Sequence, residues 1–359
     1  MHEFAIFWDW LSFAARWLHV ITAIAWIGSS FYFIALDLGL VKREGMPEGA
    51  DWREFFDTDK SEIISVDISP RFPRQVLEET DRYVIETSPW GVTMKQFKES
   101  ASTPEFLDYR VHDPESWAEA KALMTLEDDR IPWEDLKVNY PRWKSEGRWT
   151  EAGFWFGFDV THSWMAGTET VLVALMEEPE WVMDMFETYL NSCERLFGRI
   201  WDAGYRFDAI RWPDDMGYKG TTFFSPKLYR DIVKPFHARA ARWAHERGAY
   251  AHLHSCGDVM NLVPDIVDAG LDSLEPLEVK AGMDAAKLKR DFPNLTLRGG
   301  INAVLWDKKD KIIAEIERVV PALKKGGGYI FSSDHSIPDA VSLENFRAIV
   351  AAAKRAGAY

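Results

Sequence analysis

The sequence predicts an α/β fold, a (β/α)8 barrel, and three observations point there. From about residue 150 onward, short apolar runs alternate with longer amphipathic ones, the pattern of repeated βα units on a parallel sheet. Polar residues gather just after the apolar runs, where a ring of parallel strands would bring them to one rim. At 359 residues the chain can bury one large core as a single domain. A doubly wound open sheet is the alternative, but no Gly-rich phosphate loop follows any of the runs.

The elements follow in chain order. Residues 17–36 (WLHVITAIAWIGSSFYFIAL) carry no formal charge and as a helix would span about 30 Å, the thickness of a bilayer's hydrocarbon core. They read as an N-terminal hydrophobic, membrane-spanning helix, with a buried helix of the main domain as the alternative. Glu3 and Asp9 ahead of the run do not suit a secretory signal. Lys42 and Arg43 just after it place the remainder in the cytoplasm, anchored to the membrane through this helix. Strands are expected at 154–159, 207–212, 249–254, 273–277, 295–298 and 329–332. Helices are expected at 178–201, 226–246, 260–269, 284–292, 308–325 and 343–357. Ser225 and Ser342 suit N-caps, and Gly270 and Gly357 suit helix stops.

The residues just past these strands are His162; Asp214 and Asp215; His254 and Cys256; Glu275 and Glu278; Gly299, Gly300 and Asn302; and Asp334 and His335. The most informative is His254-Ser255-Cys256. Side chains alternate along a strand, so His254 and Cys256 point the same way, with His252 one step deeper. Imidazole and thiol are zinc-type ligands, although a buried strand end with a satisfied histidine and a packed cysteine would carry the same residues. The other cysteine, Cys193, falls in a helical pattern and reads as core. Two cysteines make no disulfide framework and suit a reducing compartment. A formal net charge of −15 argues against a nucleic-acid partner or an anionic lipid surface, both of which need a positive field. A small-molecule substrate is the natural expectation.

Two resemblances add to this. The first 49 residues or so, from FWDWLSF through REGMPEG, are similar to the first membrane span of the membrane-bound bacterial urate oxidase family, which gives a division at 1–42 and 43–359. From about Arg43 onward the chain resembles the uroporphyrinogen decarboxylase superfamily, which spans porphyrinogen decarboxylases and zinc-dependent methyltransferases acting on corrinoid proteins. The motifs are IISVDIS (63–69), AHLHSCGDV (251–259) and GGGYIFSSDHSIPDAVSLENF (326–346).

The resemblance implies a TIM barrel. Its first strand is lacking or replaced, because residues 63–69 match the second. On the methyltransferase side it implies Zn²⁺ held by His254, Cys256 and His335, and methyl transfer from a corrinoid on a partner protein to a thiol-type acceptor. Asp214, Asp215 or Glu275 would accept a hydrogen bond from a ligating imidazole. On the decarboxylase side it implies Asp67 gripping the pyrrole nitrogens of a porphyrinogen, but the arginine-rich segment that would hold such a substrate's carboxylates is missing. A membrane-tethered or joined product without catalysis is the third alternative.

Overall fold

The computed structural model describes residues 52–98, 104–338 and 340–358. The expected N-terminal span at 17–36, and the division at residue 42, lie outside them. Among the described residues no helix is long and apolar enough to cross a membrane.

Thirteen strands occur in the described chain: β1 (Ser61–Ser65), β2 (Gln75–Glu79), β3 (Tyr83–Thr87), β4 (Val92–Phe97), β5 (Glu105–Tyr109), β6 (Trp149–Gly153), β7 (Ala209–Pro213), β8 (Gly217–Tyr218), β9 (Thr221–Thr222), β10 (Tyr250–His254), β11 (Ser273–Glu275), β12 (Thr296–Arg298) and β13 (Tyr329–Ile330). Seven of them form one parallel sheet in the order β1-β6-β7-β10-β11-β12-β13. That is chain order, with helices Pro179–Asp202, Lys234–His245, Val263–Asp268, Ala285–Asp291 and Lys309–Leu323 in the successive crossovers and Leu343–Gly357 closing the chain. This is the arrangement of a (β/α) barrel one strand short: among the described residues no strand pairs with the outer edge of β1 or of β13.

The sheet's two faces explain the sequence. Register lines Ser65, Gly153, Arg211, His252 and Ser273 on one face, and Ile63, Glu151, Ala209 and Tyr250 two residues below, so charged residues inside apolar strands point into the lumen. The alternate residues Ile64, Ala152, Ile210, Trp212, Leu253, Leu274 and Leu297 are buried in the core under the helices. Each large apolar side chain fully buried there contributes about 1.5–3 kcal/mol. Ser225 and Ser342 cap their helices as expected, accepting from the N–H of Leu228 and of Asn345 at 3.2 Å.

Two features depart from expectation. The strand expected at 154–159 lies at Trp149–Gly153 instead. Glu151, in the middle of that strand, is hidden in the lumen against His252, so its charge did not mark solvent. The apolar run after it is a loop whose phenylalanines fill the strand–helix layer: Phe154 stacks on Phe197, Phe156 lies on Trp212, and Phe158 packs on Phe223 and Phe224. The second departure is an antiparallel sheet, β2-β3-β4-β5, inserted between β1 and β6. A smaller cluster joins Phe56, Trp306, Ile312, Ile316, Phe346 and Ile349, tying the chain ahead of β1 to the C-terminal helices.

Candidate metal centre

The site forms where β10 ends. His254 is the last lumen-facing residue of β10, and the chain then turns through Ser255, Cys256 and Gly257. Gly257 has φ of +80°, and a Cβ built there would lie 2.1 Å from the carbonyl carbon of Gly217. Only glycine allows this close approach to the β8–β9 hairpin. The turn is held by carboxylates: Cys256 N–H donates to Asp215 Oδ1 at 2.7 Å, and Gly257 N–H donates to Glu278 Oε2 at 2.8 Å.

The Cys256 Sγ lies 3.4 Å from His254 Nε2. It belongs to two groups of ligand atoms lying within 4.8 Å of one another, Asp215–His254–Cys256 and Cys256–Glu278–His335. Thus His254 falls in one group and His335, some 80 residues on, in the other, with the Cys256 thiol as the member common to both; the two imidazoles are not grouped with each other. Burial pushes the Cys256 thiol well above its ordinary value, and the carboxylates of Asp215 and Glu278 push the same way. Burial lowers the His335 imidazole to about 2, with Lys280 and His254 adding to the effect. Such a cluster gathers acidic groups around a thiol and two imidazoles, a setting that a cation would neutralise.

Glu275 supports it from below. Its Oε1 accepts from Arg211 Nε at 2.8 Å and contacts His254 Nδ1 at 3.1 Å, while Oε2 pairs with Arg298 Nε at 3.0 Å and His252 Nε2 at 3.5 Å. Burial opposes the charge, but Arg211, His252 and Arg298 hold the carboxyl well below the usual range. With Glu275 ionised, His254 donates from Nδ1 and turns Nε2 toward the thiol.

The other expected residues are placed as follows. Asp214 is fully buried, accepting Asp159 N–H at 2.8 Å and bonded to His237 Nε2 at 2.8 Å, whose Nδ1 meets the Tyr229 hydroxyl at 2.9 Å. It stands behind the site, and its own N–H donates to the His254 carbonyl. Asp67 belongs to a separate network, accepting from Ser69 and from Arg71 Nε at 2.6 Å, with Arg130 3.7 Å away. His162 is buried against Phe158 and bonds Thr168 Oγ1 at 3.0 Å. Arg211, Arg298 and the His237–Tyr229 pair were missed in the sequence. The arginines had a signal, since a charge inside an apolar strand marks a lumen position.

The fold and site define a parallel β/α barrel with a thiol–imidazole–carboxylate cluster at the C-terminal mouth of its strands. The chain belongs to the uroporphyrinogen decarboxylase (URO-D) family, whose model matches residues 85–356. The urate oxidase N-terminal model matches residues 5–56. A methyltransferase from Methanosarcina mazei is similar in structure, with a TM-score of 0.55 and 20% identity over 75% of this chain and 77% of that one. A xylose isomerase-like TIM barrel protein from Mycobacterium smegmatis aligns at a TM-score of 0.33 and 14% identity over 68% of this chain and 90% of that one. No curated protein matches the chain.

Proposed function

We propose that this protein transfers a methyl group from a corrinoid carried on a partner protein to a thiol acceptor, with Zn²⁺ held by His254, Cys256 and His335. The supporting observation is the Cys256 thiol as common member of two ligand groups, one with His254 and one with His335. One sulfur and two imidazole nitrogens are a zinc donor set with a fourth position left for an acceptor, and Asp215 and Glu278 stand close enough to replace either imidazole. The fold shared with a solved methyltransferase and the likeness of AHLHSCGDV to the corrinoid-dependent branch support the reaction class.

Bound there, zinc would supply Lewis acidity that keeps the acceptor as its thiolate near neutral pH. The chain's own residues do the positioning. Glu275 fixes the His254 ring by accepting its Nδ1–H, while Asp215 and Glu278 hold the backbone N–H groups of Cys256 and Gly257. Burial of Cys256 keeps bulk water from the sulfur. The decarboxylation alternative would need Asp67 for the substrate, and that carboxylate is engaged by Ser69 and Arg71.

Metal analysis of the purified chain tests this: about one zinc per chain, lost in His254→Ala, is the expected result. The zinc-loaded protein should also demethylate methylcobalamin in the presence of a small thiol, followed by the cobalamin absorbance. A metal-free protein that still binds no zinc on titration refutes the proposal.

A further inference from the structure

The cluster at the mouth holds more donors than one tetrahedral ion takes. With an acceptor in the fourth position, His254, Cys256 and His335 complete a zinc. Asp215 and Glu278 are then left over, although each lies in a group of three with the Cys256 thiol, Asp215 beside His254 and Glu278 beside His335. The two groups have only the sulfur in common, and among the described residues no group joins the two imidazoles or the two carboxylates. Each group by itself offers one sulfur, one nitrogen and one oxygen donor.

The first set already has the dimensions of a metal site. Bonds of about 2.0–2.3 Å to nitrogen, oxygen and sulfur put neighbouring donors on a tetrahedral zinc about 3.3–3.6 Å apart. His254 Nε2 stands 3.4 Å from Cys256 Sγ and 3.7 Å from Asp215 Oδ1. Its Nδ1 is turned to Glu275, which leaves Nε2 for the ion. The second set is built by other elements, Glu278 from the segment after β11 and His335 from the loop after β13, with the three donor atoms within 4.8 Å of one another. Asp215 and Glu278 accept from the N–H groups of Cys256 and Gly257, so the two carboxylates hold the amides that flank the Cys256 side chain.

Charge favours a second ion. The carboxyls of Asp215, Glu278 and Asp159 all act on the thiol in the same direction, while Lys280, 3.2 Å from Glu278 Oε1, sets one ammonium against them. Arg211 is engaged by Glu275. A thiolate and three carboxyls facing one ammonium leave a surplus of negative charge that a single divalent ion only partly neutralises. A thiolate sulfur has lone pairs enough to bridge two ions, and two-metal sites place their ions about 3.5–4 Å apart.

We propose that the centre takes a second divalent ion beyond the first zinc, with the Cys256 thiolate bridging the pair, His254 and Asp215 on one ion and His335 and Glu278 on the other. The inference rests on the zinc reading above. One equivalent is shared by the thiol and the two imidazoles; the second draws each imidazole to its own ion, and a carboxylate takes the vacated place.

Zinc titration of the metal-free full chain, with metal analysis after gel filtration, tests it. Saturation at about two ions per chain is expected, and X-ray absorption at the zinc edge should show a metal–metal separation of about 3.5–4 Å that is absent at one equivalent. Asp215→Asn and Glu278→Gln keep the shape and lose the charge, and each should lower the capacity from two ions to one. Should either variant fold poorly, the titration and absorption spectrum of the parent decide alone. Saturation at one ion overturns the inference and leaves the proposed function standing, whereas no zinc at all removes both. Two ions without the short separation, or a capacity of two kept in both variants, put the second ion elsewhere on the protein and also overturn it.

Discussion

Glu275→Gln probes the centre of the lumen. The carboxylate is 6% exposed and is shared by Arg211, Arg298, His252 and His254. Glutamine keeps the shape and loses the charge, which leaves two guanidinium groups in the lumen facing a neutral amide. Removing one member of a buried charge network costs about 3–5 kcal/mol. Here the arginines retain 24% and 32% exposure and partly rehydrate, so the expected loss lies at the lower end, about 3 kcal/mol. The same substitution deprives the His254 Nδ1–H of its anionic acceptor, and zinc affinity should fall roughly 10- to 100-fold.

The sign with pH is fixed by the depressed carboxyl. Its stabilisation is fully present above the unfolded value of about 4.3 and is lost as pH falls through the folded value, so the deficit of the variant narrows in acid. Denaturant titrations at several pH values and a chelator competition for zinc measure both effects. A variant within about 0.5 kcal/mol of the parent at pH 7 would refute the charge network, since that is the range of an ordinary surface substitution. Unchanged zinc affinity would refute the role given to Glu275 in orienting His254.

Other outcomes follow from the same structure. Cys256→Ser should lower zinc affinity by at least about 10-fold in a competition assay, since it removes the donor common to both groups. Gly257→Ala forces a Cβ into the backbone of Gly217 and should destabilise the fold by about 3 kcal/mol or more while lowering zinc content; a thermal melt and metal analysis on one sample check both. Phe56→Ala should cost about 3 kcal/mol in denaturant unfolding, because its ring is buried against Phe346 in the C-terminal cluster. His162 is held neutral by burial, to about 3, so the unfolded chain takes up a proton that the folded one refuses between that value and about 6.5. Stability therefore falls as pH drops through this window, and His162→Phe should remove a slope of about 1.4 kcal/mol per pH unit; an unaltered slope counts against the assignment.

The barrel was legible because parallel strands under helices leave a strong local record. The runs around Ile210, Leu253, Leu274 and Leu297 are apolar on the face turned to the helices, and the crossover helices carry a matching apolar stripe. Ser225 and Ser342 marked helix starts through their own side chains. The strand at Trp149–Gly153 was displaced because Glu151 is charged yet buried, and a pattern that equates charge with solvent moves the strand onto the phenylalanines that follow. The inserted sheet β2–β5 went unseen, since β2 is exposed throughout and its register with β3 has an irregularity at Val76 and Glu78.

Sequence by itself determined the alternation of sheet strands and crossover helices from Ala209 onward, the lumen-facing alternation of His252 and His254, and the family. These are set by near neighbours along the chain, whose period and caps are written in the residues themselves. Tertiary structure alone decided that Cys256 joins Asp215 and His254 on one side and Glu278 and His335 on the other, that Glu275 is tied by two arginines, and that Asp67 is engaged elsewhere. Those contacts join residues up to about 80 positions apart, and only the curvature and register of the whole sheet bring them within reach of one another.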